Sequence, residues 1–342
     1  MFRRRNLHKD NSPHEHNHRH DAYGHTHGAI DPAILTTQRG IWAIKWSFFG
    51  LLPTALFQLV IVFVSGSVAL LADTIHNFGD ASTAIPLWFA FTLVKWPPNK
   101  RFTYGYGRVE DLAGVAIVLI ITFSAIVAGY QSINRLFHPQ TVGHLWIVIV
   151  ASVVGFFGNE AVAVFRIRIG KEISSAALIA DGYHARVDGL TSLAVLFGAV
   201  GVWLGYPIAD PIIGLLITAA ISRIVWQSGK MVFTRLLDGV DPEIVDEIKH
   251  SINHTPGVQN VSEVRIRWLG HRLHAEVNIA VNLKLTVEEG HEIAKEVRHQ
   301  ILHHLRYLSN VTIHIDPSNA SGEEHHRIGN HTHGDLPVHS HH

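Results

Sequence analysis

Six stretches of about twenty or more largely apolar residues, at approximately 41–64, 68–94, 111–134, 142–165, 173–203 and 207–228, constrain this chain more than any other feature. Each is long enough to cross the roughly 30 Å hydrocarbon layer at 1.5 Å per helical residue. Inside lipid every backbone N–H and C=O must be paired within its own segment, so runs of this length form helices. Composition agrees: of 342 residues 47% are hydrophobic and only 16% charged, with a mean hydropathy of +0.17. The charges fall in the tails, the loops and the last third, while eight Trp and sixteen Phe suit a lipid-facing surface. A formal net charge of zero excludes a nucleic-acid binder.

Within the second run stands Ala72-Asp73-Thr74-Ile75-His76-Asn77-Phe78-Gly79-Asp80, and within the fifth Ala180-Asp181-Gly182-Tyr183-His184-Ala185-Arg186-Val187-Asp188. The shared pattern is A-D-x-x-H-x-x-x-D, offset by 108 residues at every matching position. Residues four apart lie on one helical face, so each copy presents a His and an Asp side by side. Two imidazoles and two carboxylates suit the tetrahedral N/O preference of Zn²⁺, and ionisable groups at membrane depth are too costly to be incidental. We therefore read His76, Asp80, His184 and Asp188 as one metal pathway. The chain has no cysteine, which removes disulfides and thiolate ligands and disfavours the softest ions such as Cu(I).

The connections between runs one and two and between five and six carry no Lys or Arg. Lys95, Lys100, Arg101 and Arg108 fall between runs two and three, Arg166, Arg168 and Lys171 between four and five, and Lys230 and Arg235 after six. By the positive-inside rule both termini face the cytoplasm, in a multi-pass protein of the plasma (inner) membrane. Run two then points inward and run five outward, so the halves carrying the repeat are inverted, an arrangement suited to alternating access at a site near the midplane. Residues 1–38 form a polar tail with Arg3, Arg4 and Arg5 and seven His between His8 and His27, and a second His-rich tail covers 319–342. Such tracts hold metal ions weakly, and the first lacks the apolar core and cleavage site of a signal peptide.

Arg186 points about 200° away from His184 at 100° per residue, off the ligand face. A guanidinium in a membrane helix needs an acidic or carbonyl partner or a wet cavity. Glu160, on the neighbouring fourth run, is the candidate partner, although the run boundaries place it nearer the cytoplasmic surface than Arg186.

These features resemble the cation diffusion facilitators, a family of divalent-metal/proton exchangers. The resemblance rests on the paired H-x-x-x-D motifs, on Tyr104-Gly105-Tyr106-Gly107-Arg108-Val109-Glu110-Asp111-Leu112-Ala113 entering run three, on the six-run layout, and on Val311-Thr312-Ile313-His314-Ile315-Asp316-Pro317 near the end. It implies that runs two and five build the intramembrane site, that His at position 76 resembles the more zinc-selective type, and that the chain forms a homodimer. Two departures stand out. Residues 95–109 contain no Asp or His, so a second site that some bacterial relatives carry in this loop is expected to be missing. The family also does not generally show an Arg where Arg186 stands.

After Leu236 the pattern becomes that of a soluble domain, 236–318, behind a membrane domain at 39–235. Asp241-Pro242 opens a helix to about His254; Val258–Leu269 and His271–Leu283 alternate as two strands; a helix from about Thr286 to His304 and a strand at Val311–Ile315 follow. The order α-β-β-α-β resembles the family's ferredoxin-like cytoplasmic domain, which dimerises and binds metal in relatives. His274, Glu276, His291, His314 and Asp316 are its candidate zinc ligands; His274 and Glu276 share one strand face, as do His314 and Asp316.

The expected function is proton-coupled Zn²⁺ efflux from the cytoplasm by a secondary transporter, with a broader carrier of Co²⁺, Cd²⁺, Fe²⁺ or Ni²⁺ as the alternative. A non-transporting metal sensor fits the ligands but not the inverted repeat. An intramembrane metalloenzyme would need an open coordination position; Gly-x-Ser-x-Gly does not occur, and the single H-E-x-x-H match, His14–His18, lies in the polar N-terminal tail and not in any apolar run.

Overall fold

A computed structural model describes residues 32–65, 84–137, 145–206, 208–305 and 307–322. Most of both tails and the first copy of the motif, with His76 and Asp80, lie outside the described residues. The membrane part comprises α1 (Pro32–Ser65), α2 (Ala84–Leu93), α3 (Arg108–Phe137), α4 (Leu145–Glu172), α5 (Ala176–Trp203) and α6 (Ala209–Leu236). Among the described residues α3 to α6 are long and apolar enough to cross a membrane. Their outward side chains are apolar too: Phe123 is 67% exposed and Trp226 74%, a surface that belongs in lipid. Inside, Leu87, Phe91, Ile117, Ile121, Leu178 and Ile221 form one buried core.

Several helices are longer than their apolar runs, and two of them continue well past the charges that close the run. α4 continues to Glu172 and α6 to Leu236, so Arg166, Arg168, Lys171, Lys230 and Arg235 are helical residues and not loop charges. Hydropathy ends a run at the first cluster of charges, whereas the backbone ladder continues wherever those charges find partners. α4 and α5 are joined by a tight link in which Ser174 adopts a left-handed φ of 55° and Ser175 caps α5 by accepting from the Leu178 amide at 3.1 Å. At Gly182 a Cβ would meet Ile167 Cγ1 at 2.7 Å and the Ile167 amide nitrogen at 2.9 Å, so the two helices touch nearly backbone to backbone.

The soluble part follows the expected order: α7 (Pro242–Asn253), β1 (Val258–Leu269), β2 (Arg272–Val281), α8 (Val287–His304) and β3 (Leu308–Pro317). Asp241 caps α7 ahead of Pro242, and Thr286 with Glu289 closes a capping box on α8. The sheet order is β1-β2-β3, with β1 and β2 antiparallel and β2 and β3 parallel. Leu273, Ala275, Val277 and Ile279 of β2 turn one face onto Ile248 and Ile252 of α7 and Val297 and Ile301 of α8. The alternate residues, His274 and Glu276 among them, occupy the opposite face, which makes this an open-faced α+β sandwich.

Candidate metal site in the membrane domain

His184 and Asp188 lie near the middle of α5 and are 1% and 5% exposed. One turn apart on the same face, their Nε2 and Oδ2 atoms stand 3.9 Å from each other. Two donors on a tetrahedral Zn²⁺, each about 2.0–2.1 Å from the ion, are roughly 3.3 Å apart. The two side chains therefore sit within a small rotamer adjustment of a shared metal. The other two expected donors, His76 and Asp80, lie outside the described residues.

What holds this face in place is α4. The Arg166 side chain, 1% exposed, donates through Nη1 to Asp181 Oδ2 at 2.9 Å and through Nε to Ser47 Oγ of α1 at 3.0 Å. Asp181 is fully buried one turn before His184. On the other flank Arg186 donates twice to Glu160: Nη2 to Oε1 at 2.6 Å and Nε to Oε2 at 3.1 Å. The expected pair therefore exists, and the expected mismatch in depth does not. Glu160 lies twelve residues before the end of α4 and Arg186 ten after the start of α5, which places them about 18 and 15 Å from the shared link. The run boundary at 165 had concealed seven further residues of α4.

The five cytoplasmic candidates are not assembled by one chain. Glu276 is bonded to Arg267 of β1, whose guanidinium also lies 4.9 Å from the Tyr104 ring centre. His274 packs edge-on to Tyr104 at 6.4 Å, and burial, then Arg267 and Arg272, hold its pKa below the ordinary imidazole value. That keeps the ring neutral, the form a metal requires. His314 Nε2 lies 2.9 Å from Asp316 Oδ1 on β3, and His291 is exposed on α8. Among the described residues no three His, Asp or Glu side chains form a metal-holding group, so a zinc ion does not fit these five residues within a single chain.

The residues sequence reasoning missed lie where the two domains meet. Glu110 and Asp111, in the first turn of α3, are 1% and 4% exposed. They accept from the tip of the β1–β2 hairpin: Gly270 N–H to Asp111 Oδ2 at 3.1 Å and His271 N–H to Glu110 Oε2 at 3.1 Å. The visible signal was a pair of carboxylates opening an apolar run inside the Tyr104–Ala113 motif.

The model described as "cation efflux transmembrane domain" matches residues 44–237, and that described as "cation efflux protein, cytoplasmic domain" matches 240–318. The chain is 54% identical over 297 residues to a "probable cation efflux system protein" of Mycobacterium tuberculosis, covering 86% of this chain and 90% of that one. It is 25% identical over 275 residues to the magnetosome protein MamB of Magnetospira sp., covering 80% and 94%. Against metal tolerance protein 2 of Oryza sativa subsp. japonica the identity is 28% over 280 residues, covering 74% and 72%. The chain is thus a multi-pass membrane transporter of divalent metal cations and not an enzyme, a member of the cation diffusion facilitator family with a six-helix membrane domain and a ferredoxin-like cytoplasmic domain.

Proposed function

We propose that this transporter exports Zn²⁺ from the cytoplasm in exchange for protons, carrying the ion by alternating access between His76 and Asp80 of the second span and His184 and Asp188 of α5. The observation that supports it most is the buried His184–Asp188 pair, one N and one O donor 3.9 Å apart at mid-span. A His₂Asp₂ set satisfies zinc without an open position, which suits transfer over water activation. Both donor types bind metal only when deprotonated, so protons arriving from the acidic side compete with the ion and supply the coupling.

The domain division at 38, 235 and 318, the plasma-membrane location with cytoplasmic termini, and a homodimer complete the proposal. The dimer is supported by membership of the family and by the cytoplasmic domain match; since the described residues of one chain bring together only His314 and Asp316 of the five cytoplasmic candidates, a second copy is our proposed source of further donors there. The deciding experiment is metal uptake into inside-out proteoliposomes, ion by ion, with an imposed pH gradient. Zinc uptake that rises with the gradient and disappears in His184→Ala supports the reading. Equal rates for Co²⁺, Cd²⁺, Fe²⁺ and Ni²⁺ would replace it with the broader carrier, and uptake indifferent to the gradient would remove the antiport.

A further inference from the structure

Glu110 takes no part in the ligand face, yet its carboxylate spans two domains. Oε1 accepts from Ser175 Oγ at 2.5 Å, and Ser175 is the residue whose side chain caps α5 through the Leu178 amide. Oε2 accepts from the His271 backbone N–H at 3.1 Å and lies 2.6 Å from His271 Nδ1. The imidazole is itself enclosed: Nε2 is 2.9 Å from Thr37 Oγ1 of α1, and the ring stacks on Phe91 of α2 at 5.4 Å. The hairpin tip can enter this space because Gly270 adopts φ 64° where a Cβ would stand 2.6 Å from Glu110 Oε2. One buried carboxylate thus links the start of the ligand-bearing helix to the end of a cytoplasmic hairpin.

We propose that Glu110 is a positioning residue for transport: it joins the N-cap of α5 to the docked hairpin tip, so that the seating of His271 governs how firmly the first turn of the ligand-bearing helix is held as that helix moves through the transport cycle. Residues of α1, α2 and α3 thus meet one imidazole from another domain, and the start of α5 is tied to it through Glu110. With His271 removed, Oε2 loses its ring partner and the carboxylate can turn away from Ser175. Ser175 then holds the Leu178 amide less firmly, and the first turn of α5 loosens. The metal ligands keep their chemistry, so the effect falls on turnover and not on affinity.

The transport arm of the test rests on the zinc reading above; the second arm does not. Full-length wild type, His271→Ala, His271→Asn and Glu110→Gln are reconstituted, and zinc uptake is measured beside hydrogen exchange of amides 176–184. In His271→Ala the maximal rate is expected to fall about tenfold with half-saturating zinc unchanged within about twofold, and exchange at 176–184 to rise. Asn places an amide N–H where Nδ1 stood and should recover both readouts in part; Glu110→Gln should behave like His271→Ala. Wild-type rate and exchange in His271→Ala would overturn the joint. So would a parallel loss of rate and affinity with no recovery in His271→Asn, which marks general damage. If wild type moves no zinc, the functional reading fails alone, and exchange decides the joint: raised in His271→Ala it stands, unchanged it falls.

Discussion

Replacing Arg186 or Glu160 by Leu removes one half of a two-bond ion pair and leaves the other charge at membrane depth. Removing one member of a fully buried pair costs about 3–5 kcal/mol, chiefly through the stranded partner. Here the side chains keep 31% and 32% of their surface exposed, so part of that penalty is relieved by solvent or headgroups. Scaling accordingly, each single substitution should destabilise by about 2 kcal/mol. In the double variant no charge is stranded, and the expected loss is about 1 kcal/mol, well under the sum of the singles. The coupling energy is then about 3 kcal/mol, at the upper end for residues in contact. Arg186→Lys, which delivers one point charge where the guanidinium delivers two parallel donors, should cost about 1 kcal/mol. Reversible denaturant titration in mixed micelles measures stability, and zinc uptake by the same preparations should follow its rank order. Single losses that add to the double within about 0.5 kcal/mol would refute the pairing argument.

Ala at His184 or Asp188 should abolish zinc uptake while folded protein remains in the membrane, and His76→Asp should shift selectivity toward Cd²⁺ or Mn²⁺, both read by ion-by-ion flux. Removing 1–30 together with 322–342 deletes fourteen of the 27 His, and uptake at saturating zinc should survive with a reduced rate at low metal. Gly182→Ala should destabilise by about 1–3 kcal/mol in micelle titration, and Ile167→Ala should not rescue it, because the added Cβ also meets the Ile167 backbone nitrogen. Because the folded state holds the His274 pKa down, the unfolded chain binds more protons as pH falls below about 6.5. The cytoplasmic domain should therefore lose stability as pH drops from that value through the folded pKa, and His274→Leu should flatten the pH dependence of melting in the full-length protein.

The sequence exposed those parts of this molecule that depend on period and repetition. Alternation predicted β1 at Val258–Leu269 as found, since a strand covered on one face must alternate; capping residues located α7 and α8 to within a residue or so. Glu160 was legible as a candidate partner for Arg186, with a wet cavity as the alternative, and the structure decides between the two for the pair. Helix ends were less legible, because hydropathy counts Arg166 as water-soluble whereas Asp181 and Ser47 make it a buried residue. Asp181 itself was visible in both motif copies, at the place of Asp73, but its use needed the register between α4 and α5, which no single run encodes. His271 was least legible of all: read as the first residue of a strand, it is the tip of a hairpin whose partners lie 161 and 234 positions away.

Seen down the axis of α5, with His184 at zero, Asp188 stands at about 40°, Asp181 at about 60° and Arg186 at about 200°. Asp181 and Arg186 are both bonded to α4, which therefore lies between them, near 130°. Two contacts about 140° apart around one helix fix its rotation as a single contact does not. The close approach at Gly182 fixes its separation from α4 as well. With α5 pinned in this way, His184 and Asp188 face roughly 90–130° away from α4, into the bundle on the flank opposite to Arg186. The polar residues of α5 thus divide by role: Asp181 and Arg186 engage its structural neighbour, which leaves the His184 imidazole and the Asp188 carboxylate, outside that sector, presented to whatever stands across the bundle. Arg186 supplies the second contact of that clamp, and Glu160 is what makes a guanidinium tolerable there.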